Sequence, residues 1–419
     1  MKKSFAPAMA IAVMALFALS TCNRQSPASF QKHLQEQLIS AKPGAVIELP
    51  EGKFQFDRTL SLTVDKVTIR GKGMDKTILS FAGQKEGASG LLVKANDFEI
   101  ADLAIEDSAG DGLSIQGGHN IAVRRVRVEW TRGPNTANGP YAIYPAECTN
   151  VLVEDSVARG AADAGFYIGQ SDNVVMRRNR SEYNVDGYEV ENAQHVDVYD
   201  NVAVHNSGGI GVFNLPDLPK QGGKFVRVFR NQVYENNTPN FAPKSLGPIY
   251  YLPTGTGMYV MAINNVEIFQ NKIYNNNTTN LYVIQYNEGI GDPIKDKRFR
   301  PFTEQVYFHD NEISGGGKAP DLRLDDVKAV SQAAGGALPD VLYDGVVAPE
   351  ILAARKGLNP AQICLANNGS FTFLNLDAGN GFKHPVRDVK AYRCTLPAQE
   401  QVSIPQIAGG ASGAAVGGQ

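Results

Sequence analysis

Two glutamates and two tyrosines are the side chains in this sequence whose types and spacing fit acid–base catalysis. Glu189 and Glu191 stand two positions apart in the stretch GYEVEN, and Tyr144 and Tyr167 occupy the matching position of earlier stretches. Alternate residues of a β-strand point to the same side, so on a strand the glutamates would share one face, with Cα atoms roughly 6.5 Å apart. Their carboxyl groups would then fit the acid and base of an inverting glycosidase. The tyrosine hydroxyls would fit the acid or base of a proton abstraction.

Other interpretations of the same four side chains stay open. The glutamate pair also fits hydrogen bonding to sugar hydroxyls, which we favour over hydrolysis, or binding of Ca²⁺ together with Asp186. Calcium is the one cofactor that the sequence suggests, and none is required. The tyrosines also fit simple stacking on sugar rings. A lyase or epimerase would in addition need a group that neutralises a uronate carboxylate, and Arg132 is the candidate.

A sequence repeat must position these side chains. Valines that open a short strand recur after Ile121 in a unit of about 22 residues lengthened by loops, at Val151, Val174, Val196, Val226, Val266 and Val306. From Val174 onward, an asparagine follows five residues after each valine, at Asn179, Asn201, Asn231, Asn271 and Asn311. A second column contains Asn184, Asn206, Asn236 and Asn276. We predict coils of three short strands that stack roughly 4.8 Å apart, with asparagine amides hydrogen-bonded from coil to coil. The predicted fold is all-β, a right-handed parallel β-helix.

The alternation along the first strand of each coil sets which side chains point inward. An inward column contains Leu113, Ile143, Phe166, Tyr188, Ile210 and Met258, and it follows a column of small residues at the bend, Gly112, Ala142, Gly165, Gly187, Gly209 and Gly257. There are two outward columns. The first contains Ser114, Tyr144, Tyr167, Glu189, Gly211, Tyr259 and Tyr282. The second contains Gln116, Ala146, Gly169, Glu191, Phe213, Met261 and Ile284. Tyrosines, carboxylates and apolar rings on one outward face are typical of a binding surface rather than a solvated face.

Four inserted loops adjoin this face. Residues 131–140 and 237–256 come just before first strands, and residues 214–224 and 287–304 come just after them. Loops at both edges would wall the face into a groove that suits an extended sugar chain. The predicted substrate-binding residues are Tyr259, Tyr282, Arg132, Glu147, Gln170 and Phe213.

The rest of the chain divides around this repeat. We predict a signal peptide over 1–22, an N-terminal capping helix over 29–43 and the β-helix over 44–318. A small irregular C-terminal cap segment would span 319–405, and a Gly/Ala-rich tail over 406–419 is predicted to be disordered.

The N-terminus has the order of an export signal. Lys2 and Lys3 precede an apolar stretch too short to span a bilayer, and small residues lead to Cys22. Leu19 to Cys22 (LSTC) resembles a bacterial lipobox, in which the cysteine is lipidated. Thr21 departs from the Gly, Ala or Ser that usually precedes that cysteine, so cleavage to a soluble periplasmic or secreted product is the alternative. We predict a cell-envelope lipoprotein, facing the periplasm or on the outer membrane, that meets the membrane through Cys22.

Three cysteines lie outside the signal. In an exported protein, Cys364 and Cys394 predict a disulfide, and Cys148 predicts a small buried residue. The cysteine spacings match no zinc site.

Charge excludes one class of function. The 40 Lys and Arg residues nearly balance the 43 Asp and Glu residues, for a formal charge of −3 with no long run of one sign. This is not the electrostatic footprint of a nucleic-acid binder, so no nucleic-acid partner is predicted.

The asparagine and valine columns over residues 44 to about 315 resemble those of the pectate-lyase-like superfamily. That superfamily includes polysaccharide lyases, polygalacturonases and periplasmic mannuronan epimerases, so the resemblance implies a polysaccharide ligand. Mannuronan epimerases usually have an Asp-Pro-His motif near this depth, whereas this chain reads GFYIGQ at 165–170. That departure argues against epimerisation by the histidine route. The signal, the repeats and the C-terminal cysteine pair are also similar to a family of envelope β-helix lipoproteins.

The predicted function is to bind or process an extended, acidic polysaccharide along the outward face of the first sheet. The residues are compatible with lyase, epimerase or glycoside hydrolase chemistry and also with binding alone. The alternative is a non-catalytic envelope scaffold that presents this face to a glycan or to another envelope protein.

Overall fold

The computed structural model describes residues 27–289 and 293–404. Its helices are α1 (Pro27–Ser40), α2 (Asp325–Ala334) and α3 (Pro349–Ala354), and short 3-10 helices span Lys244–Tyr251, Ala378–Asn380 and Val389–Tyr392. The strands in chain order are β1 (Val46–Glu48), β2 (Gly52–Gln55), β3 (Arg58–Leu62), β4 (Thr68–Arg70), β5 (Thr77–Ser80), β6 (Glu86–Val93), β7 (Phe98–Glu106), β8 (Leu113–Gln116), β9 (His119–Glu129), β10 (Ile143–Ala146), β11 (Thr149–Glu154), β12 (Val157–Arg159), β13 (Ala164–Gly169), β14 (Asp172–Arg177), β15 (Arg180–Glu182), β16 (Asp186–Glu191), β17 (Gln194–Tyr199), β18 (Val202–Val204), β19 (Gly208–Phe213), β20 (Lys224–Phe229), β21 (Gln232–Tyr234), β22 (Thr256–Met261), β23 (Asn264–Phe269), β24 (Lys272–Tyr274), β25 (Thr279–Ile284), β26 (Glu304–His309), β27 (Glu312–Ser314), β28 (Val341–Tyr343), β29 (Ile363–Ala366) and β30 (Phe373–Asn375).

These strands stack into a parallel β-helix with two hydrogen-bonded sheets. The first sheet has eleven strands, in the order β3, β6, β8, β10, β13, β16, β19, β22, β25, β28 and β30. The other nineteen strands form the second sheet, to which most coils contribute two consecutive short strands. Each such coil therefore has three strands, as the repeat predicts.

The predicted register is confirmed. Val151, Val174, Val196, Val226, Val266 and Val306 are aligned from strand to strand in the second sheet. The inward column of the first sheet is aligned in the same way and is buried in one continuous apolar core. The core forms because period-2 alternation sends one side of every strand into the same interior.

The asparagine ladder is also confirmed. The side-chain amide of Asn201 donates to the amide oxygen of Asn231 at 3.0 Å, and Asn231 donates likewise to Asn271 at 3.0 Å. The same contact links Asn179 to Asn201 and Asn271 to Asn311, and the ladder continues to Asn368. These amides are buried, so their mutual hydrogen bonds satisfy polar groups that water cannot reach.

Helix α1 covers the N-terminal end of the core, as predicted, although its bounds are Pro27–Ser40 rather than 29–43. Its apolar side is buried on the first coil through Phe30, Leu34 and Leu38. The Gln35 amide also donates to the backbone carbonyl of Ser61 at 3.2 Å. The helix therefore protects the first strands from edge-to-edge pairing.

The β-helix continues beyond residue 318, where the sequence analysis ended it. Strands β28 and β30 extend the first sheet and β29 extends the second, all in parallel register. The repeat is hidden in the sequence because α2 and α3 interrupt the coils and the added strands have only three or four residues. The predicted disulfide between Cys364 and Cys394 is present and ties β29 to the segment after Tyr392.

The last described residues cross the outside of the second sheet. Val402 and Ile404 pack against Ala122, Leu152 and Val175. Among residues 27–289 and 293–404, no helix has the length and apolarity needed to cross a membrane. The predicted signal with Cys22 and the predicted tail over 406–419 lie outside the described residues.

Candidate functional site

The predicted outward column of the first sheet is confirmed by strand pairing. Tyr167 pairs with Glu189, Glu189 with Gly211, Gly211 with Tyr259 and Tyr259 with Tyr282. None of these five residues belongs to the apolar core inside the coils. Glu189 and Glu191 therefore share the outward side of β16, as their spacing predicts.

The groove predicted along the whole face is closed over its C-terminal half. Loop 237–256 and the described residues of loop 287–304 place Ile249, Leu252 and Phe299 against Phe213 and Tyr259 in a second apolar cluster. Phe213 is 5% exposed and Tyr259 is 7% exposed. The prediction that these two residues bind substrate on an open surface is wrong. Burying the apolar loop side chains against the two rings is more favourable in free energy than leaving them exposed to water beside a groove.

The N-terminal half of the face contains a stack of three tyrosines. The ring centroids of Tyr144 and Tyr167 are 4.7 Å apart, and Tyr141 joins them at 4.6 Å from Tyr144 and 4.9 Å from Tyr167. Tyr141 and Tyr144 are half-buried, so the stack reaches solvent. The Tyr167 ring lies flat across Gly169, where an added Cβ would stand 2.1 Å from the tyrosine hydroxyl. This glycine lets Tyr167 lie along its own strand.

Four buried carboxyl groups lie next to the tyrosine stack. They belong to Asp163, Asp186, Glu189 and Glu191, whose exposed fractions are 4%, 0%, 3% and 6%. Tyr259 donates its hydroxyl to Asp186 at 2.7 Å, and the backbone N–H of Gly187 donates to the same carboxyl at 2.8 Å. Tyrosine hydroxyls also bond to two others, Tyr141 to Asp163 and Tyr167 to Glu191.

Burial raises the pKa of all four carboxyl groups. It raises the pKa of Glu191 to about 8, with a further contribution from the Asp163 charge, although the Tyr167 hydrogen bond opposes both. Burial is also the largest cause of the raised pKa of Asp163, Asp186 and Glu189. Carboxyl groups that hold protons near neutral pH can act as acids as well as bases.

Asp111 extends this cluster toward solvent. The group is half-buried, accepts hydrogen bonds from Ser114 and from the backbone of Tyr141, and has a pKa raised to about 6 by burial. Burial also raises the pKa of Tyr144 to about 12, so its hydroxyl stays a hydrogen-bond donor at neutral pH.

No basic side chain of the described residues enters this cluster. The charges that act on Asp163, Asp186, Glu189 and Glu191 all come from other carboxyl groups. In the same part of the chain, no three His, Cys, Asp or Glu side chains are arranged to hold one metal ion. The predicted calcium site of Asp186, Glu189 and Glu191 is thus not preformed.

The remaining predicted substrate-binding residues surround the open half of the face or lie beyond it. Glu147 and Arg132 are exposed, and Gln170 is half-buried and accepts a hydrogen bond from the backbone of Lys220 at 3.4 Å. Tyr282 is half-buried near the covering loops. The structure therefore does not gather the six predicted residues into one surface.

Sequence reasoning missed Tyr141, Asp111 and Asp163 as members of the site. A signal was present for two of them, because Asp111 and Tyr141 come directly before the column of small residues at the bend, as Asp186 does. From the sequence, this bend was recognised only by its small residues. The structure instead begins β16 at Asp186 and directs the three side chains to the same cluster.

Comparisons with known proteins agree with this architecture. Residues 89–245 match the family model described as "Right handed beta helix region". The A-module of the mannuronan C-5 epimerase AlgE6 of Azotobacter vinelandii superposes with a TM-score of 0.53 at 18% identity, over 76% of this chain and 75% of that chain. The AlgE4 A-module of the same organism has a TM-score of 0.52 at 16% identity, over 76% of this chain and 87% of that chain. No curated protein sequence matches the chain. The fold is a right-handed parallel β-helix.

Proposed function

We propose that the open half of the first sheet binds an extended polysaccharide and that its carboxyl groups transfer protons to and from the bound sugar. One observation carries the proposal: four carboxyl groups are buried beside a tyrosine stack that reaches solvent, and no basic side chain of the described residues acts on them. Burying such groups costs folding free energy, and clusters of carboxyls with raised pKa values mark functional sites.

The cluster has the parts that hydrolysis of a glycosidic bond requires. A carboxyl group with a pKa of about 8, such as that of Glu191, is protonated at pH 7 and can protonate the leaving oxygen. A second, ionised carboxyl group can take the proton of the attacking water. The tyrosine rings supply flat apolar surfaces for the sugar, and their hydroxyls supply donors.

An acidic substrate, which the sequence analysis expects, places a further demand on the site. Elimination or epimerisation of a uronate requires a group that neutralises the sugar carboxylate. Arg132, exposed on the loop between β9 and β10, would have to move onto the substrate to do this. For a uronate chain we propose Tyr144 or Tyr167 as the acid or base, with the protonated carboxyls as additional donors to the substrate carboxylate.

We also propose that the protein is exported and anchored through Cys22 in the cell envelope. The disulfide between Cys364 and Cys394 supports this proposal, because disulfides persist in oxidising compartments. Metabolic labelling with a radioactive fatty acid tests it: the full chain should take up label and Cys22→Ser should not. Release of unlabelled wild-type protein into the periplasm would contradict the anchor.

The test of function combines binding and turnover on a panel of polysaccharides. Reducing-end release detects hydrolysis, and absorbance near 235 nm detects unsaturated uronates formed by elimination. Replacing the acid–base group with Glu191→Gln should lower turnover by about 100-fold or more while binding is retained. Glu312→Gln is the matched control, since this glutamate is exposed on the far sheet. Binding that is unaffected by Tyr144→Ala and Glu191→Gln, without any turnover, would contradict the proposal and favour a non-catalytic scaffold.

A further inference from the structure

The carboxyl cluster has no countercharge in the described part of the chain. None of Asp163, Asp186, Glu189 and Glu191 forms an ion pair there, and no Lys, Arg or His acts on the pKa of any of them. Buried carboxylates are usually paired with a cation or bound to a metal. A ligand that carries positive charge would supply what this site lacks.

Glu189 provides a second observation. Asp163, Asp186 and Glu191 each accept a hydrogen bond from a tyrosine hydroxyl. The Glu189 carboxyl is 3% exposed, and only burial and three neighbouring carboxyls act on it. No hydrogen-bond donor and no cation of the described residues contributes to the pKa of Glu189. A buried polar group of this kind is costly unless a donor arrives from outside.

The tyrosine stack indicates the type of cation. The Tyr141, Tyr144 and Tyr167 rings are 4.6 to 4.9 Å apart and lie beside the carboxyls, with Tyr144 half-buried at the solvent side. Aromatic faces with nearby carboxylates recognise organic ammonium groups. A metal ion would instead need several oxygen ligands around one point, and the described residues provide no such group of three acids.

We propose that the ligand of this site is a polysaccharide with protonated amino sugars, whose ammonium group is received by Glu189 and the surrounding carboxyls. The inference rests on the proposed function, which holds for a sugar chain of any charge. The ammonium group would favour the ionised form of Glu189, whose proton would leave to solvent. It would donate its N–H groups to that carboxylate and its neighbours while the sugar ring packs on the tyrosines. This differs from the acidic substrate that the sequence analysis expects.

Calorimetric titration of the full protein at pH 6 tests the inference with three hexasaccharides. The probes are hexameric glucosamine, its fully N-acetylated form and hexameric galacturonate. We expect the amino hexamer to bind at least ten-fold more tightly than the N-acetylated form, and Glu189→Gln to remove this preference. Glu312→Gln, an exposed acid on another face, should leave it intact. Circular dichroism and the melting temperature establish that each variant is folded.

The other outcomes separate this inference from the proposed function. Tighter binding of the N-acetylated or the galacturonate hexamer, sensitive to Glu189→Gln, would overturn the amino-sugar inference and keep the polysaccharide site. Binding of Ca²⁺ that is lost in Glu189→Gln and blocks the amino hexamer would also overturn it, since a metal would then be the missing countercharge. Failure of the amino hexamer to bind would overturn the amino-sugar inference, while the panel of polysaccharides described above decides the proposed function.

Discussion

Glu154 and Glu191 are buried acids on the outward faces of different sheets, and their pKa values are shifted in opposite directions. On the second sheet, Glu154 is paired with Arg177 and Arg178, each at 2.7 Å, and with Arg124. Burial acts to raise the pKa of Glu154, yet the hydrogen bonds and charges of these arginines bring it below its ordinary value. On the first sheet, Glu191 is buried with no basic neighbour among residues 27–289 and 293–404, and its pKa is raised to about 8.

The difference separates a structural use of acids from a functional one. On the second sheet, arginines also lie within ion-pair distance of Glu99, Glu182 and Asp197. Burial still raises the pKa of Glu99 and of Asp197, but the charges of Arg124 and Arg227 act against it. On the first sheet, acids lie on adjoining coils, and the described part of the chain places no cation beside them. Stability alone would not select that arrangement, which is why we attribute it to a ligand.

The largest expected effect comes from removing the Glu154 carboxylate from its ion pairs on the second sheet. Glu154→Gln would leave Arg124, Arg177 and Arg178 without their shared carboxylate, and we expect a loss of about 4 kcal/mol in the free energy of unfolding at pH 7. Urea unfolding followed by circular dichroism measures this. The exposed Glu312→Gln variant should change stability by less than about 0.5 kcal/mol. Equal effects of the two substitutions would contradict the distinction between the faces.

The second effect is a pH dependence of the wild-type protein. The first-sheet carboxyls have pKa values raised by folding, so the folded state holds their protons more tightly and stability falls as pH rises from about 4 toward the raised values near 8. Glu154 and Glu182 have lowered pKa values, so the stability they contribute is lost as pH falls below about 4. We expect maximal stability near pH 5 and a loss of about 3 kcal/mol by pH 8.5. A melting temperature that rises between pH 5 and 8.5 would contradict this assignment.

Glu191→Gln should have the opposite sign to Glu154→Gln. Removing an acid that must ionise without a cation should stabilise the protein by about 2 kcal/mol at pH 8.5 and change little at pH 5, where the wild-type group is already neutral. Unfolding of both variants in urea at the two pH values measures the contrast. Destabilisation by Glu191→Gln at pH 8.5 would mean that a countercharge reaches this glutamate after all.

The smallest expected effect concerns the Tyr259 hydroxyl, which donates a hydrogen bond to Asp186. Tyr259→Phe removes a buried hydrogen bond of 2.7 Å, and we expect a loss of about 1 kcal/mol with the fold unchanged. Because that bond lowers the pKa of Asp186 against the effect of burial, its loss should raise the pKa further. Carbon-13 NMR of the aspartate carboxyls should detect the higher midpoint, and an unchanged titration would contradict the bond.

The sequence by itself determined the coil, its register and the direction of the key side chains. Period-2 alternation and the locked valine and asparagine columns are local properties. They repeat through the coils around β16, so they identify Glu189 and Glu191 as outward neighbours of Tyr167 without coordinates. The pairing of Cys364 with Cys394 was likewise predictable. The extra coils after residue 318 were not, because helices separate strands of three or four residues and hide the period.

Only the tertiary structure decided how deeply the outward face is buried and which charged groups lie close together there. Ile249, Leu252 and Phe299 from two inserted loops cover Phe213 and Tyr259. Asp111, Tyr141 and Asp163 lie near the glutamates on neighbouring coils. Burial, and with it the raised pKa values, depends on groups distant in the chain that happen to pack together. A repeat fixes which way a side chain points, whereas the atoms that surround it come from insertions that the repeat does not govern.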